Sequence, residues 1–160
     1  MTYIKFTSSC SDKTIYINEE VIQSIMPFRQ NSILSTEAGG MMFGCVGKSE
    51  KFYYIEKCSI PIPEDTRTIT GFIRSVFHAK KALNIKIIDN ITTYLGEWHT
   101  HPCEAFLSSQ DKKSHIDLLN SSKIYINGIF ALIYGADNIF KLYFIAKDRN
   151  IDLFMEEKDV

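Results

Sequence analysis

The residues best equipped for chemistry lie in one stretch, Gly96-Glu97-Trp98-His99-Thr100-His101-Pro102-Cys103-Glu104-Ala105-Phe106-Leu107-Ser108-Ser109-Gln110-Asp111. In an extended strand side chains alternate faces, so His99 and His101 point the same way with their bases roughly 6.5–7 Å apart, and both imidazoles can converge on one ion. Asp111 would complete a set of two nitrogens and one carboxylate oxygen. Zinc held by three protein ligands keeps its fourth position for water, the arrangement of a catalytic site and not of a closed structural one. Pro102 ends the strand and turns the chain. Ser108, followed three residues later by Asp111, reads as a variant of the helix capping box. An aspartate in the first turn of a helix, a short loop after two strand-end histidines, gives a geometry in which all three side chains can meet.

The flanking sequence supplies the elements that must hold this set. Tyr3 to Thr7 and Thr14 to Ile17 alternate as a pair of opening strands. Asn18 then reads as an N-cap ahead of Glu19-Glu20, with Val21, Ile22, Ile25 and Met26 at helical spacing and Pro27 as the stop. Ser35 to Gly47 reads as a strand entered through Gly39-Gly40, with Lys51 to Ser59 as its hairpin partner. The glycine pair after Glu37 permits close approach, so that a carboxylate there could sit beside a bound ion. Pro61 to Thr68 has no period and is expected to be an irregular loop, a candidate border of a substrate groove. Ser75 to Leu83 has helical composition, Ile85 to Ile91 is ambiguous between helix and strand, and Thr92 to Thr100 is the strand carrying the histidines. A helix is expected from Ser108 to about Asn120, then strands over Lys123 to Tyr134, Lys141 to Ala146 and Ile151 to Met155, with Gly135 to Asn138 as a hairpin turn.

Length and composition narrow the classes. At 160 residues and 45% hydrophobic, the chain has material for one core and too little length for two ordinary domains. A net charge of -1 offers no field to draw nucleic acid or an anionic membrane, and Lys80-Lys81 and Lys112-Lys113 fit solvated helix faces. The N-terminal residues lack a signal peptide's apolar core, and Gly128 to Tyr134 is far too short to span a bilayer, so a cytoplasmic protein is expected. Cys10, Cys45, Cys58 and Cys103 form no Cys-x-x-Cys pair, and free thiols are expected.

Taken together, Glu37, His99-Thr100-His101-Pro102 and Ser108-Ser109-Gln110-Asp111 resemble the signature of the JAMM (JAB/MPN/Mov34) zinc metalloproteases, the deubiquitinases and related isopeptidases. The Glu37 to Gly44 stretch and Ala105-Phe106-Leu107-Ser108-Ser109 extend the likeness. The resemblance implies a single JAB/MPN domain over residues 1–160 with an α/β (α+β) MPN/JAB fold, a mixed, largely antiparallel curved sheet flanked by helices and related in outline to the cytidine deaminase fold. It implies one zinc per chain on His99, His101 and Asp111, Glu37 as general base and Ser108 as the residue that helps hold the oxyanion. It also implies a zinc isopeptidase or endopeptidase acting on the flexible C-terminal tail of a ubiquitin-like or conjugated protein. The likeness is to compact prokaryotic members, some of which sit in antiphage operons beside E1/E2-like conjugation enzymes, and it implies such enzymes as operon partners. The substrate would then be a conjugated cGAS-like nucleotidyltransferase (CBASS), or a ubiquitin-like protein cleaved by a deubiquitinase-like protease.

The sequence departs from the family pattern in one spacing: Pro102 to Leu107 supplies six residues between His101 and Ser108, one fewer than usual. Alternation alone also puts Glu97 on the face of His99 and His101, as a rival base to Glu37. His115, one turn after Asp111, reads as a helix-surface histidine, His78 as exposed, Trp98 as core and Cys103 as a packed or semi-exposed thiol. A zinc deaminase would need His-x-Glu and Pro-Cys-x-x-Cys, and Phe106 stands where the second cysteine belongs. A non-catalytic MPN scaffold would have no need of ligands, base and oxyanion serine together.

Overall fold

The computed structural model describes residues 1–87, 92–121, 124 and 126–158. Ten strands are present among them: β1 (Tyr3–Thr7), β2 (Thr14–Asn18), β3 (Gly39–Val46), β4 (Phe52–Cys58), β5 (Thr66–Thr68), β6 (Gly71–Ile73), β7 (Thr93–Thr100), β8 (Gly128–Tyr134), β9 (Phe140–Ala146) and β10 (Ile151–Glu156). Three α-helices accompany them, α1 (Glu19–Ile25), α2 (Val76–Ile87) and α3 (Ser109–Ser121). Eight strands close into a barrel in the order β1-β10-β9-β8-β7-β3-β4-β2, and β5 and β6 form a separate hairpin. The pairings β2–β4 and β7–β8 are parallel.

This closure corrects the expected α/β (α+β) MPN/JAB fold with its helix-flanked curved sheet, and with it the likeness in outline to the deaminases. The last strand returns to the first, pairing Phe6 with Glu156 and Thr7 with Met155, and so leaves neither chain-end strand as an open edge. Among the described residues α-helix is confined to three elements. The main core lies within the barrel, where Phe6, Ile17, Tyr53, Trp98, Phe130 and Phe154 belong to one buried cluster with Val21, Ile22 and Ile25 of α1. A smaller cluster of Met41, Phe43 and Ala82, with Ile85 and Tyr94 against it, joins α2 to β3 and β7.

Local signals account for the elements nearest the site. Asn18 caps α1, its Oδ1 accepting the Glu20 N–H at 3.0 Å. Pro27 falls in the 3-10 turn, residues 26–28, that follows α1. Of the ambiguous segment Ile85 to Ile91, α2 takes the chain as far as Ile87, and residues 88–91 lie outside the described residues. The strand expected from Lys123 begins at Gly128; Lys123 and Tyr125 likewise lie outside the described residues. The segment expected to be an irregular loop contains β5, paired with β6 through Arg67 and Phe72.

β7 carries an interruption that decides which way its side chains face. Between Met42 and Phe43 the β3–β7 register shifts, and Gly96 opposite takes φ +149°. A Cβ at Gly96 would stand 2.0 Å from the Phe130 carbonyl oxygen, so only glycine fits. The bulge reverses the alternation. Leu95 and Trp98 consequently share the barrel core although they are three residues apart, and Glu97 and His99 turn to the opposite face.

Candidate metal centre

His99 and His101 come to the end of β7 where it lies between β3 and β8. Gly39 is the register partner of His99, and His101 extends the parallel pairing by donating its N–H to Tyr134 O at 3.0 Å. Thr100 points the other way, its hydroxyl bonded to Gln30 Oε1 at 2.9 Å while its Oγ1 accepts the Ala38 N–H. The loop after His101 is held by Ala136 N–H on Cys103 O at 2.7 Å, and the Phe106 ring stands edge-on to the His101 imidazole at 4.9 Å. That loop delivers Ser108 to the start of α3.

The capping box forms reciprocally: Ser108 Oγ accepts the Asp111 N–H at 3.1 Å, and Asp111 Oδ2 accepts the Ser108 N–H at 3.0 Å. The cap therefore also aims the carboxylate. Asp111 Oδ2 lies 3.0 Å from His101 Nε2, Asp111 Oδ1 lies 3.3 Å from His99 Nε2, and the two Nε2 atoms are 3.1 Å apart. Tetrahedral zinc with bonds of about 2.0–2.2 Å needs ligand atoms roughly 3.3–3.5 Å apart, and the three observed separations are at or just below that. Two imidazole nitrogens facing at 3.1 Å oppose their lone pairs unless a proton or a cation lies between them. The donor set and spacing thus fit zinc, and the three residues form a candidate metal-binding triad.

The electrostatics follow from burial and pairing. Burial raises the carboxyl of Glu37, partly offset by the two histidines. Burial alone would lower His99, but its hydrogen bond and charge contact with Asp111 carry it above the ordinary imidazole value. Burial would raise Asp111, yet the hydrogen bonds from both histidines hold it far below the usual carboxylate range.

Four of the five residues anticipated from sequence, Glu37, His101, Ser108 and Asp111, line one groove of about 410 Å³, walled by the Thr70 to Ile73 turn and strand. His99 joins them through Asp111. Glu97, the rival for Glu37, is instead paired with Arg74 at 2.5 Å and accepts the Tyr94 hydroxyl at 3.0 Å. His115 is buried, not on the surface as expected; its Nδ1–H donates to Asp111 O at 2.8 Å, and burial lowers its pKa. His78, expected to be exposed, is also buried, between Asp65 and Ser59. Ser75 caps the first turn of α2 by accepting the His78 N–H. Trp98 is core as expected, Cys103 is exposed beside the groove, and all four cysteines are free.

A closed mixed barrel with a candidate metal triad at the end of β7 is the frame in which similarity to known proteins can be placed. No family model matches the chain. Over 93 residues it is 33% identical to a protein named "CD-NTase/cGAS isopeptidase" from Escherichia coli (strain TW11681), a match covering 57% of this chain and 58% of that relative. The chain thus spans a little over half the length of the curated relative it matches. In fold it is similar to the solution structure of protein DSY2949 from Desulfitobacterium hafniense, with a TM-score of 0.56 and 20% identity over 91% of both chains. Among the described residues no helix is long and apolar enough to cross a membrane.

Proposed function

We propose that this chain is a JAMM-type zinc isopeptidase or endopeptidase, one domain over residues 1–160, that cleaves an amide bond at the C-terminal tail of a conjugated protein. Its substrate in this reading is a cGAS-like nucleotidyltransferase joined to its target, as in CBASS antiviral defence. The observation that carries the proposal is the convergence of His99, His101 and Asp111 beside Glu37 and Ser108 on one groove. The name of the Escherichia coli relative supports the substrate class.

His99, His101 and Asp111 would hold the zinc, which when bound supplies Lewis acidity and acidifies water at neutral pH. The proton work falls to Glu37. Burial raises its carboxyl toward the range where one group can both take a proton from the attacking water and return it to the departing amine. Ser108 Oγ spends a lone pair on the Asp111 N–H, leaving its own O–H proton to be donated to the carbonyl oxygen as charge develops there. The Ser108 N–H fixes the Asp111 carboxylate, and the Phe106 edge limits rotation of His101.

The test is cleavage by the zinc-loaded full chain of a nucleotidyltransferase whose C-terminal carboxyl is isopeptide-linked to a lysine peptide. Hydrolysis at that bond, lost with a chelator and restored by zinc, is expected. A ubiquitin-like conjugate cleaved in preference would favour the deubiquitinase-like reading. A folded, zinc-loaded chain that leaves both conjugates and linear tails intact would reduce it to a binding scaffold.

A further inference from the structure

We propose that Ser59, His78 and Asp65 form a buried hydrogen-bond relay that positions Glu37, and that they are positioning residues and not a second catalytic triad. The inference rests on the reading of Glu37 as the base of an amide hydrolysis. His78 Nδ1 lies 2.6 Å from Asp65 Oδ2, and His78 Nε2 lies 2.7 Å from Ser59 Oγ. Those separations would suit a serine hydrolase, but Ser59 is 6% exposed and its Oγ already accepts the Met41 N–H at 2.8 Å. The small cavity of about 120 Å³ that Ser59 and His78 line shares no residue with the groove of Glu37, His101 and Asp111. The bonds instead run in one direction, from Met41 N–H to Ser59 Oγ, from Ser59 O–H to His78 Nε2 and from His78 Nδ1–H to Asp65. The carboxylate also accepts the N–H groups of Ser75 at 2.8 Å and Ile62 at 2.9 Å, which closes the segment between them into a loop. A buried polar network of this kind is costly unless every member is satisfied, and here each has its partner.

What the relay joins is the evidence for its role. At one end Ser59 is fastened to the barrel beside the candidate metal centre. Its N–H donates to Met41 O at 2.9 Å, and its carbonyl accepts Trp98 Nε1–H at 2.8 Å, next to His99. Gly40 makes this possible, since a Cβ there would stand 2.1 Å from Ser59 O. At the other end Asp65 immediately precedes β5, and β5 holds both peptide groups of Glu37. Thr68 O accepts the Glu37 N–H at 2.7 Å, and Arg67 Nε–H donates to Glu37 O at 2.9 Å. Phe72 of β6 lies edge-on to His78 at 6.3 Å and fills the space against Gly39. Glu37 precedes β3 and takes these bonds from the hairpin, so its carboxylate is placed by β5, and β5 is placed by Asp65, His78 and Ser59.

The experiment uses the zinc-loaded full chain with Asp65→Asn and Ser59→Ala, each read by amide hydrogen exchange and by steady-state kinetics. Exchange at the Glu37 amide should rise by about tenfold or more while the Leu132 and Ile145 amides of the β8–β9 ladder are unchanged. Turnover of the conjugate should fall by about tenfold or more at unchanged zinc content. In a Glu37→Gln background, Asp65→Asn should cause no further loss of kcat, because the relay acts through that one carboxylate. Ser59→Ala removes only one end of the relay and keeps the test available if Asp65→Asn fails to fold. An equal loss in the Glu37→Gln background, or unaltered Glu37 exchange and kcat in folded variants, would overturn the proposal, as would labelling of Ser59 by a fluorophosphonate. A wild-type chain that hydrolyses nothing while Asp65→Asn still frees the Glu37 amide would count against the hydrolase reading and for the positioning of Glu37.

Discussion

Glu97 is joined to Arg74 by an ion pair of 2.5 Å, with both side chains about one-fifth exposed. The same carboxylate oxygen accepts the Tyr94 hydroxyl. Glu97 is thereby spent on tying the junction of β6 and α2 to β7, although it shares the face of His99. Among the described residues the Glu37 carboxylate makes no ion pair with a lysine or arginine, and Glu37 lines the groove with His101 and Asp111. Glu37→Gln should therefore lower turnover by about 10²–10⁴-fold with zinc retained, because an amide cannot take the water's proton. Glu97→Gln should cost a few-fold in rate and about 1–2 kcal/mol in stability, read by denaturant unfolding, since it leaves the largely buried Arg74 without its carboxylate. Rates in the reverse order at equal zinc content would make Glu97 the base.

Zinc should stabilise the folded chain by mass action, by about 2.7 kcal/mol at a hundredfold excess over the dissociation constant. His99→Ala and Asp111→Ala should abolish that gain in a thermal melt and lower bound zinc, measured by elemental analysis after gel filtration. The fold should persist, because the barrel core lies on the other side of β7 from the histidines. Melting that does not respond to zinc in the unmodified chain would dismiss the metal.

The local elements that carry the candidate site were more legible in the sequence than the architecture around them. The Ser108 cap and the strand with two histidines are each declared by residue types within a few positions, and the structure brings Ser108, Asp111 and His101 to one groove. Closure of the barrel depends on Phe6 meeting Glu156, a pairing between chain ends that no local pattern encodes. The bulge at Gly96 likewise inverts a period that reads as simple alternation. Burial of His78 was hidden because its carboxylate partner, Asp65, sits in a segment without periodicity, where only the fold brings the two together.

The cysteines offer a check on local order that needs no substrate. Burial pushes the Cys58 thiol up to about 12, so its thiolate fraction at pH 8 is on the order of 10⁻⁴. Cys10 and Cys103 are exposed. Iodoacetamide at pH 8 should modify those two in the native protein and reach Cys58 only on unfolding, as followed by mass spectrometry. Because Cys103 lines the groove, its adduct should also lower kcat/KM without removing zinc. Alkylation of Cys58 as fast as that of Cys103 would show that the end of β4 opens readily.

Ser108 has two tasks that one substitution can separate. Its Oγ caps α3 on the Asp111 N–H, while its N–H orients the Asp111 carboxylate. The second task is performed by the backbone and should survive any side chain, so zinc content should be the same in every Ser108 variant. Asparagine caps helices about as well as serine, so Ser108→Asn should change stability by no more than a few tenths of a kcal/mol, whereas Ser108→Ala should cost about 1 kcal/mol. If the hydroxyl proton also meets the developing oxyanion, both variants should lose about 10²-fold in kcat with KM little changed. Ser108→Thr, which keeps a hydroxyl at the cap, should recover part of that rate. Full turnover in Ser108→Asn would leave the residue a helix cap and nothing more, and the charge on the carbonyl oxygen would have to be met by another donor in the groove.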